Sequence, residues 1–279
     1  MKRFVKIYTY WLLGILLFTG CDDYLKEDSG DLLIPGKVEE FLPMLYREGF
    51  PRNFNDEVAW LYLMTDDVEM GQLELDPEDE ANDTRDKNSS DAFNVGEGEE
   101  PYKWEREIKS YADNFWERRY GNILACNLVI DALPEMEYVE ADSGNYNFLA
   151  AQAYALRAYN YWCLVNSYAL PWSKENLDKP GVIIRMEPQI NISPRGRSSI
   201  REVYDLINED IEKAEKYINI ATFDGNIHRL SEPAILLLAS RIALFQENWD
   251  EVIRTGKLFL AQNSVILNLN DQDTTLFGT

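Results

Sequence analysis

Apolar side chains recur at Tyr146, Leu149, Ala150, Ala153, Tyr154, Tyr161, Leu164, Val165 and Tyr168, a helical spacing without strict alternation. The spacing predicts one long, aromatic, amphipathic helix within Tyr146–Trp172, about 23 residues or about 35 Å in length. It must end before Pro171, because the residue preceding a proline is pushed out of the α region. So long an element needs neighbouring helices over its apolar face, and the flanking patterns supply them. Upstream, Phe115, Trp116, Tyr120, Ile123, Leu124, Leu128 and Val129 form one face of a helix within Asp113–Pro134. Downstream, Pro171–Arg197 is a connector with four prolines and a short apolar run, Val182-Ile183-Ile184. Ser198 or Ser199 then caps a helix over Ile200–Ile218, with Val203, Leu206, Ile207, Ile211, Ala214, Tyr217 and Ile218 on its buried side. Ser231-Glu232-Pro233 starts Ala234–Gln246, nearly all apolar except Arg241, and Trp249–Leu260 follows. Nearer the N-terminus, Lys37–Phe50 reads as a short helix stopped by Pro51, and Asn55–Met64 as another.

The last pair carries a size pattern as well as a polarity pattern. Ala239, Leu244, Phe245, Trp249, Val252, Ile253 and Gly256 alternate small and large residues across a helical hairpin, as tetratricopeptide repeats do. Small residues let antiparallel helices approach, and large ones plug the gap to the next hairpin. Asp113–Pro134 with Tyr146–Trp172 forms a second hairpin, and Ile200–Ile218 packs between the two. The fold class is therefore mainly all-α, built from tetratricopeptide-like hairpins with long irregular loops. Trp60, Trp116, Trp162 and Trp249 sit in helix patterns and are expected in the core.

Other stretches lack this periodicity. Lys2, Arg3 and Lys6 precede the apolar run Ile7–Phe18, which is too short for a comfortable membrane span and reads as a secretory signal over residues 1–20. Cys21 directly follows Gly20, a placement that resembles the lipobox of bacterial lipoproteins, in which the cysteine is acylated and becomes the mature N-terminus. Asp22–Pro35 is a polar tether with a Leu-Leu-Ile anchor. Thr65–Pro101 holds fourteen Asp or Glu residues and few apolar ones, so it has no face to bury and reads as a long loop. It has no D-x-[DN]-x-[DN]-G frame, which excludes an EF-hand; its acids are compatible with a looser calcium site or with a solvated face. The organisation is thus 1–20 signal, 21–112 tether and acidic loop, and 113–279 helical region.

Charge and chemistry narrow the function. A formal charge of −22 argues against nucleic acid, which needs basic surface. Cys126 and Cys163 lie in predicted helices without metal-ligand spacing, as small buried hydrophobes. The single histidine, His228, sits in a turn without a nucleophile motif, so the reading is non-catalytic. Sugars need an aromatic platform and amide or carboxylate hydrogen-bonders. Tyr102, Trp104 and Trp172 are candidate platforms at loop positions, and Asp66 and Asp67 candidate acids, each weighed against a purely structural role. A protein-binding helical scaffold and an α-helical glycoside hydrolase stand as alternatives.

Taken in order, several stretches resemble the SusD/RagB family of Bacteroidetes nutrient-binding lipoproteins. They are Cys21-Asp22-Asp23-Tyr24-Leu25; Phe115-Trp116 with Tyr120, Ile123, Asn127 and Ile130; Arg157 through Tyr168; Arg197-Ser198 with Glu202-Val203-Tyr204, Ile207 and Asp210-Ile211; and Arg229-Leu230-Ser231 leading into the Ala239–Trp249 hairpin. The resemblance runs from Cys21 to about Leu260. It implies a lipid-anchored subunit on the outer membrane, facing outward, that captures oligosaccharide or peptide and lies over a TonB-dependent, SusC-like transporter. It implies ligand contacts from the region Asp66–Trp104. It also implies a further C-terminal region, which this chain, ending at Thr279, does not include, and a larger residue where Cys163 stands.

Overall fold

The computed structural model describes residues 37–51, 64–65, 102–105, 115–136, 138, 140–190, 193–223, 225–262 and 265. The signal, Cys21, the tether, Asn55–Met64 with Trp60, and the acidic loop with Asp66 and Asp67 lie outside these, apart from Met64 and Thr65. Among the described residues the elements are α1 (Val38–Glu48), α2 (Phe115–Ala132), a 3₁₀ turn (Leu133–Glu135), a second (Glu140–Asp142), α3 (Ser143–Tyr168), α4 (Ile200–Ile218), α5 (Glu232–Phe245) and α6 (Trp249–Gln262).

The helices form a ladder. α2 packs on α3, α3 on α4, α4 on α5 and α5 on α6, while α1 lies against α2 and α3. This is the mainly helical, tetratricopeptide-like arrangement the size pattern predicts, and α4 does sit between the two hairpins. No helix of the described residues is long and apolar enough to cross a membrane.

α3 is the expected long helix, but it is 26 residues long and begins at Ser143. It is not amphipathic. Its buried set, from Phe148 through Val165, runs round nearly the whole circumference. Ala150, Ala151, Ala153, Ala155 and Ala158 are all fully buried and let neighbours close in on every side. One flank joins α1 and α2 through Leu149, Ala150, Ala153 and Leu156 against Val38, Phe41, Leu45, Cys126 and Val129. A second joins α2, α4 and α5 through Ala158, Tyr161, Leu164 and Val165. A third packs Phe148, Ala151 and Ala155 on Ala214, Ile218 and Ile235.

The buried polar residues of α3 are all partnered. Gln152 exchanges two hydrogen bonds with the Leu230 backbone, donating from Nε2 (2.7 Å) and accepting at Oε1 (3.0 Å), which fixes the entry into α5. Asn160 donates to the Leu156 carbonyl and accepts from Arg119 Nη1. Arg157 donates from Nε and Nη2 to the two carboxylate oxygens of Asp210 on α4 (2.8 and 2.7 Å), and from Nη1 to Asn127 Oδ1 on α2 (2.9 Å).

The helix starts follow local chemistry. Ser199 caps α4: its Oγ accepts from Glu202 N, and Glu202 Oε2 accepts from Ser199 N, a reciprocal capping box. Ser231 caps α5 the same way from its side chain, with Pro233 in the first turn.

Of the four predicted core tryptophans, Trp162 is buried, Trp116 is only half-buried, and Trp249 is 58% exposed. Trp249 opens α6, the last described helix of the ladder, and no other described helix covers its outer side. Cys126 is buried and Cys163 half-buried, and neither forms a disulfide. His228 is exposed, in the turn before α5.

Candidate functional site

The connector between α3 and α4 folds back along α2, held by side chains from the helices. Gly181 N donates to Ser198 O (2.7 Å) and Ser198 N to Val182 O (2.9 Å), pinching the two ends of the connector together. A Cβ on Gly181 would stand 3.0 Å from Ser198 O and 3.1 Å from Ile200 N, so glycine permits that approach. Tyr120 Oη donates to Ile183 O (2.7 Å), and Tyr161 Oη bridges the Arg185 amide and carbonyl at 2.8 Å each. Asn127 Nδ2 donates to the carbonyls of Arg185 and Glu187. Burial pushes the Tyr120 phenol up to about 12, so the hydroxyl keeps the proton it donates.

This strapping leaves a groove of 640 Å³ between α2 and the connector, lined by Trp116, Tyr120, Leu124, Ile183, Gln189 and Ile190, with Glu117, Asn127 and Arg185 among the polar groups. The volume falls within the range of small-ligand sites. Trp116 is held in its wall edge-on to Tyr168 (4.9 Å) and beside Tyr120 (5.0 Å), with the Arg197 guanidinium 5.6 Å from its ring centre. Arg185 Nη2 donates to Ser193 O, while its Nη1 is buried without a hydrogen-bond partner. An indole and a phenol beside amide and carboxylate groups can stack an apolar ring face and satisfy hydroxyls around it.

The residues chosen from sequence are dispersed. Tyr102 is half-buried and shares a short turn with Trp104, which is 67% exposed. Trp104 has φ +55°, a left-handed conformation that a bulky aromatic rarely adopts and that costs about 1–3 kcal/mol. Trp172 instead packs edge-on against Tyr204 at 4.7 Å, on the margin of the largest apolar cluster. Among the described residues no ring contact joins Trp172 to Tyr102 or Trp104. Asp66, Asp67 and the proposed calcium-binding acids lie outside the description, and the described residues hold no cluster of three metal-ligating side chains.

The groove itself was not singled out from sequence. Trp116 and Tyr120 fall on the helical stripe that ordinarily means core. Only the tertiary path of the connector shows that their outer edges are left open.

Residues 50–244 match the profile of a family described as SusD-like, starch-binding and associating with the outer membrane. SusD-like protein P38 of Formosa agariphila is 27% identical over 158 residues, covering 56% of this chain and 27% of that protein. Two solved structures share the fold. A SusD-like carbohydrate-binding protein of Bacteroides vulgatus has a TM-score of 0.62 at 19% identity, over 85% of this chain and 47% of its own. A laminarin-binding SusD-like protein has a TM-score of 0.56 at 19% identity, over 80% and 42%. The chain thus spans less than half the length of each of these relatives.

Proposed function

Because the chain belongs to the SusD-like family, we propose that it is a binding protein for oligosaccharide, anchored at the outer face of the outer membrane, that passes its ligand to a TonB-dependent, SusC-like transporter. It performs no chemistry on the sugar. The observation that carries the reading is Trp104: a large indole, 67% exposed, presented to solvent on a left-handed turn that costs a bulky residue backbone energy. Such an indole is a ready platform for the C–H face of a sugar. The groove at Trp116 and Tyr120 offers a second place of the same chemistry. Anchoring follows from acylation of Cys21 after removal of residues 1–20.

The test is electrophoresis in native gels cast with starch or laminarin, alongside an assay for released reducing ends. Retardation by at least one polysaccharide, without release, is the expected result. Trp104→Ala should abolish it while leaving the melting temperature unchanged, and retardation indifferent to that substitution would remove Trp104 from the site. Release of reducing sugar would instead establish a hydrolase. Anchoring is read by mass spectrometry of the mature N-terminus, where an unmodified Cys21 would overturn it. The transporter is tested by co-purification from outer membranes; a chain that comes through alone counts against delivery.

A further inference from the structure

The chain carries a formal charge of −22, yet the groove between α2 and the connector gathers guanidiniums. Arg185 lines it, and the Arg197 guanidinium stands 5.6 Å from the ring centre of Trp116, which lines it too. A third, on Arg195, is ion-paired with Glu187 of the groove wall, so those two charges cancel. The other carboxylate of the lining, on Glu117, is exposed on α2.

Arg185 and Arg197 are left with neutral partners. Arg185 Nη2 donates to Ser193 O (2.9 Å), and Arg197 Nη1 donates to the carbonyls of Tyr168 (2.8 Å) and Gly181 (3.2 Å). Neither takes part in an ion pair among the described residues. Arg185 Nη1 is buried with no acceptor at all. A half-buried guanidinium without a counter-ion is costly, because backbone carbonyls replace only part of the solvation that folding removes. The two cations also act on one spot. Both pull the Tyr120 phenol down, against the larger upward push of burial, so the potential at the groove wall favours negative charge. The backbone that carries Arg185 is fixed, since Tyr161 Oη grips both its amide and its carbonyl at 2.8 Å.

Resting on the reading of the chain as an oligosaccharide-binding protein, we propose that this groove takes an acidic sugar. The ring lies against Trp116 and Tyr120, and its carboxylate or sulfate pairs with Arg185 in the field of Arg197. A guanidinium is a flat fork of donors that fits either anion with two parallel hydrogen bonds. The net charge of the chain opposes acidic polymers only at long range, where salt at physiological strength screens it beyond about 8 Å; the groove's own cations act within that distance.

Native gels cast with alginate, carrageenan or laminarin supply carboxylated, sulfated and neutral probes. At least one acidic polymer should retard the chain at a lower concentration than laminarin does, and the stronger of the two identifies the anion. Arg185→Gln gives up one hydrogen bond within the fold, to Ser193 O. It should raise the concentration of acidic polymer needed by about tenfold or more, the worth of a charge-assisted hydrogen bond, and leave laminarin unchanged. Arg201→Gln, which removes an exposed cation outside the groove lining, should change neither. Retardation by laminarin alone would overturn the proposal while leaving the sugar-binding reading intact. So would equal losses from Arg185→Gln and Arg201→Gln, or no loss from either. Retardation by none of these polymers, nor by starch, would remove the sugar-binding reading itself and the acidic ligand with it.

Discussion

Replacing Asp210 with Asn is the most exacting perturbation this fold offers. The Asp210 side chain is fully buried and that of Arg157 is 3% exposed, so the pair sits away from water between α3 and α4. Two donors of the guanidinium, at 2.8 and 2.7 Å, grip the two carboxylate oxygens. Asn removes the negative charge and can turn an NH₂ group toward a guanidinium that only donates. Arg157 is then a buried cation without a counter-ion, which costs about 3–5 kcal/mol. Against a total stability of about 5–15 kcal/mol, that is a large fraction. At roughly 2–4 °C per kcal/mol for a chain of this size, the melting temperature should fall by about 6–20 °C. Urea titration followed by circular dichroism measures the loss directly. Removing both partners, as Arg157→Met with Asp210→Leu, should cost far less than the single change. What remains is about 1 kcal/mol for the donor lost by Asn127. The double-mutant cycle therefore carries a large coupling term. A cost below about 1 kcal/mol for Asp210→Asn, or additive single changes, would refute the view that this pair holds the helices in register.

Other consequences are simpler. Gly121 lies in the exposed middle of α2 with nothing within 4 Å of an added Cβ, so Gly121→Ala should raise stability by about 1 kcal/mol in urea. At the start of α3 the same change should destabilise, because a Cβ on Gly144 would collide with Thr222 Oγ1. Ser199→Ala breaks the capping box of α4 and should cost about 1 kcal/mol by the same measurement. Burial raises the phenols of Tyr120, to about 12, and of Tyr159 and Tyr161. Their contribution is complete below pH 10, the ordinary phenol value, and is lost as pH rises toward 12; the loss is at most about 1.4 kcal/mol per pH unit for each phenol, less for the partly solvated Tyr120. Urea midpoints across that window, alongside tyrosinate absorbance, test it; a midpoint flat from pH 10 to 12 would contradict the burial of these hydroxyls.

Much of the ladder was legible because periodicity and caps are local. The bounds of Ile200–Ile218 were read as they stand, since Ser199, Glu202 and the 3.6-residue stripe all lie within one segment. The central helix was placed but its environment misjudged. Alanine scores as weakly apolar, so Ala151 and Ala155 did not register as a second buried face, nor did Gln152, Arg157 and Asn160, whose partners lie far away in sequence. Trp249 failed for the converse reason: its spacing is that of a packed residue, and spacing does not tell whether a neighbour lies over it. The groove was invisible because it exists only where the connector crosses α2, and the length of a connector does not fix its path.

The path itself has a cause in the motif residues. Asn127, Arg157 and Asp210 stand in three separate stretches of the chain, and each reads in isolation as a polar residue on a helix. Folded, they form one buried chain of hydrogen bonds from α4 through α3 to α2. That chain ends on the connector, since Asn127 accepts from Arg157 with its oxygen and spends its amide hydrogens on the carbonyls of Arg185 and Glu187. Arg157 thereby fixes which way the Asn127 amide faces, and the Asn127 amide fixes where the groove wall runs. A core charge pair that hydrophobic residues could replace at little cost in stability is thus also the device that aims a surface loop. Asn127→Leu should separate the two roles: the helices stay paired through Arg157 and Asp210, while the connector over residues 183–189 loses its anchor and exchanges its amide hydrogens faster. Unchanged exchange there would mean that Tyr120 and Tyr161 hold the connector alone.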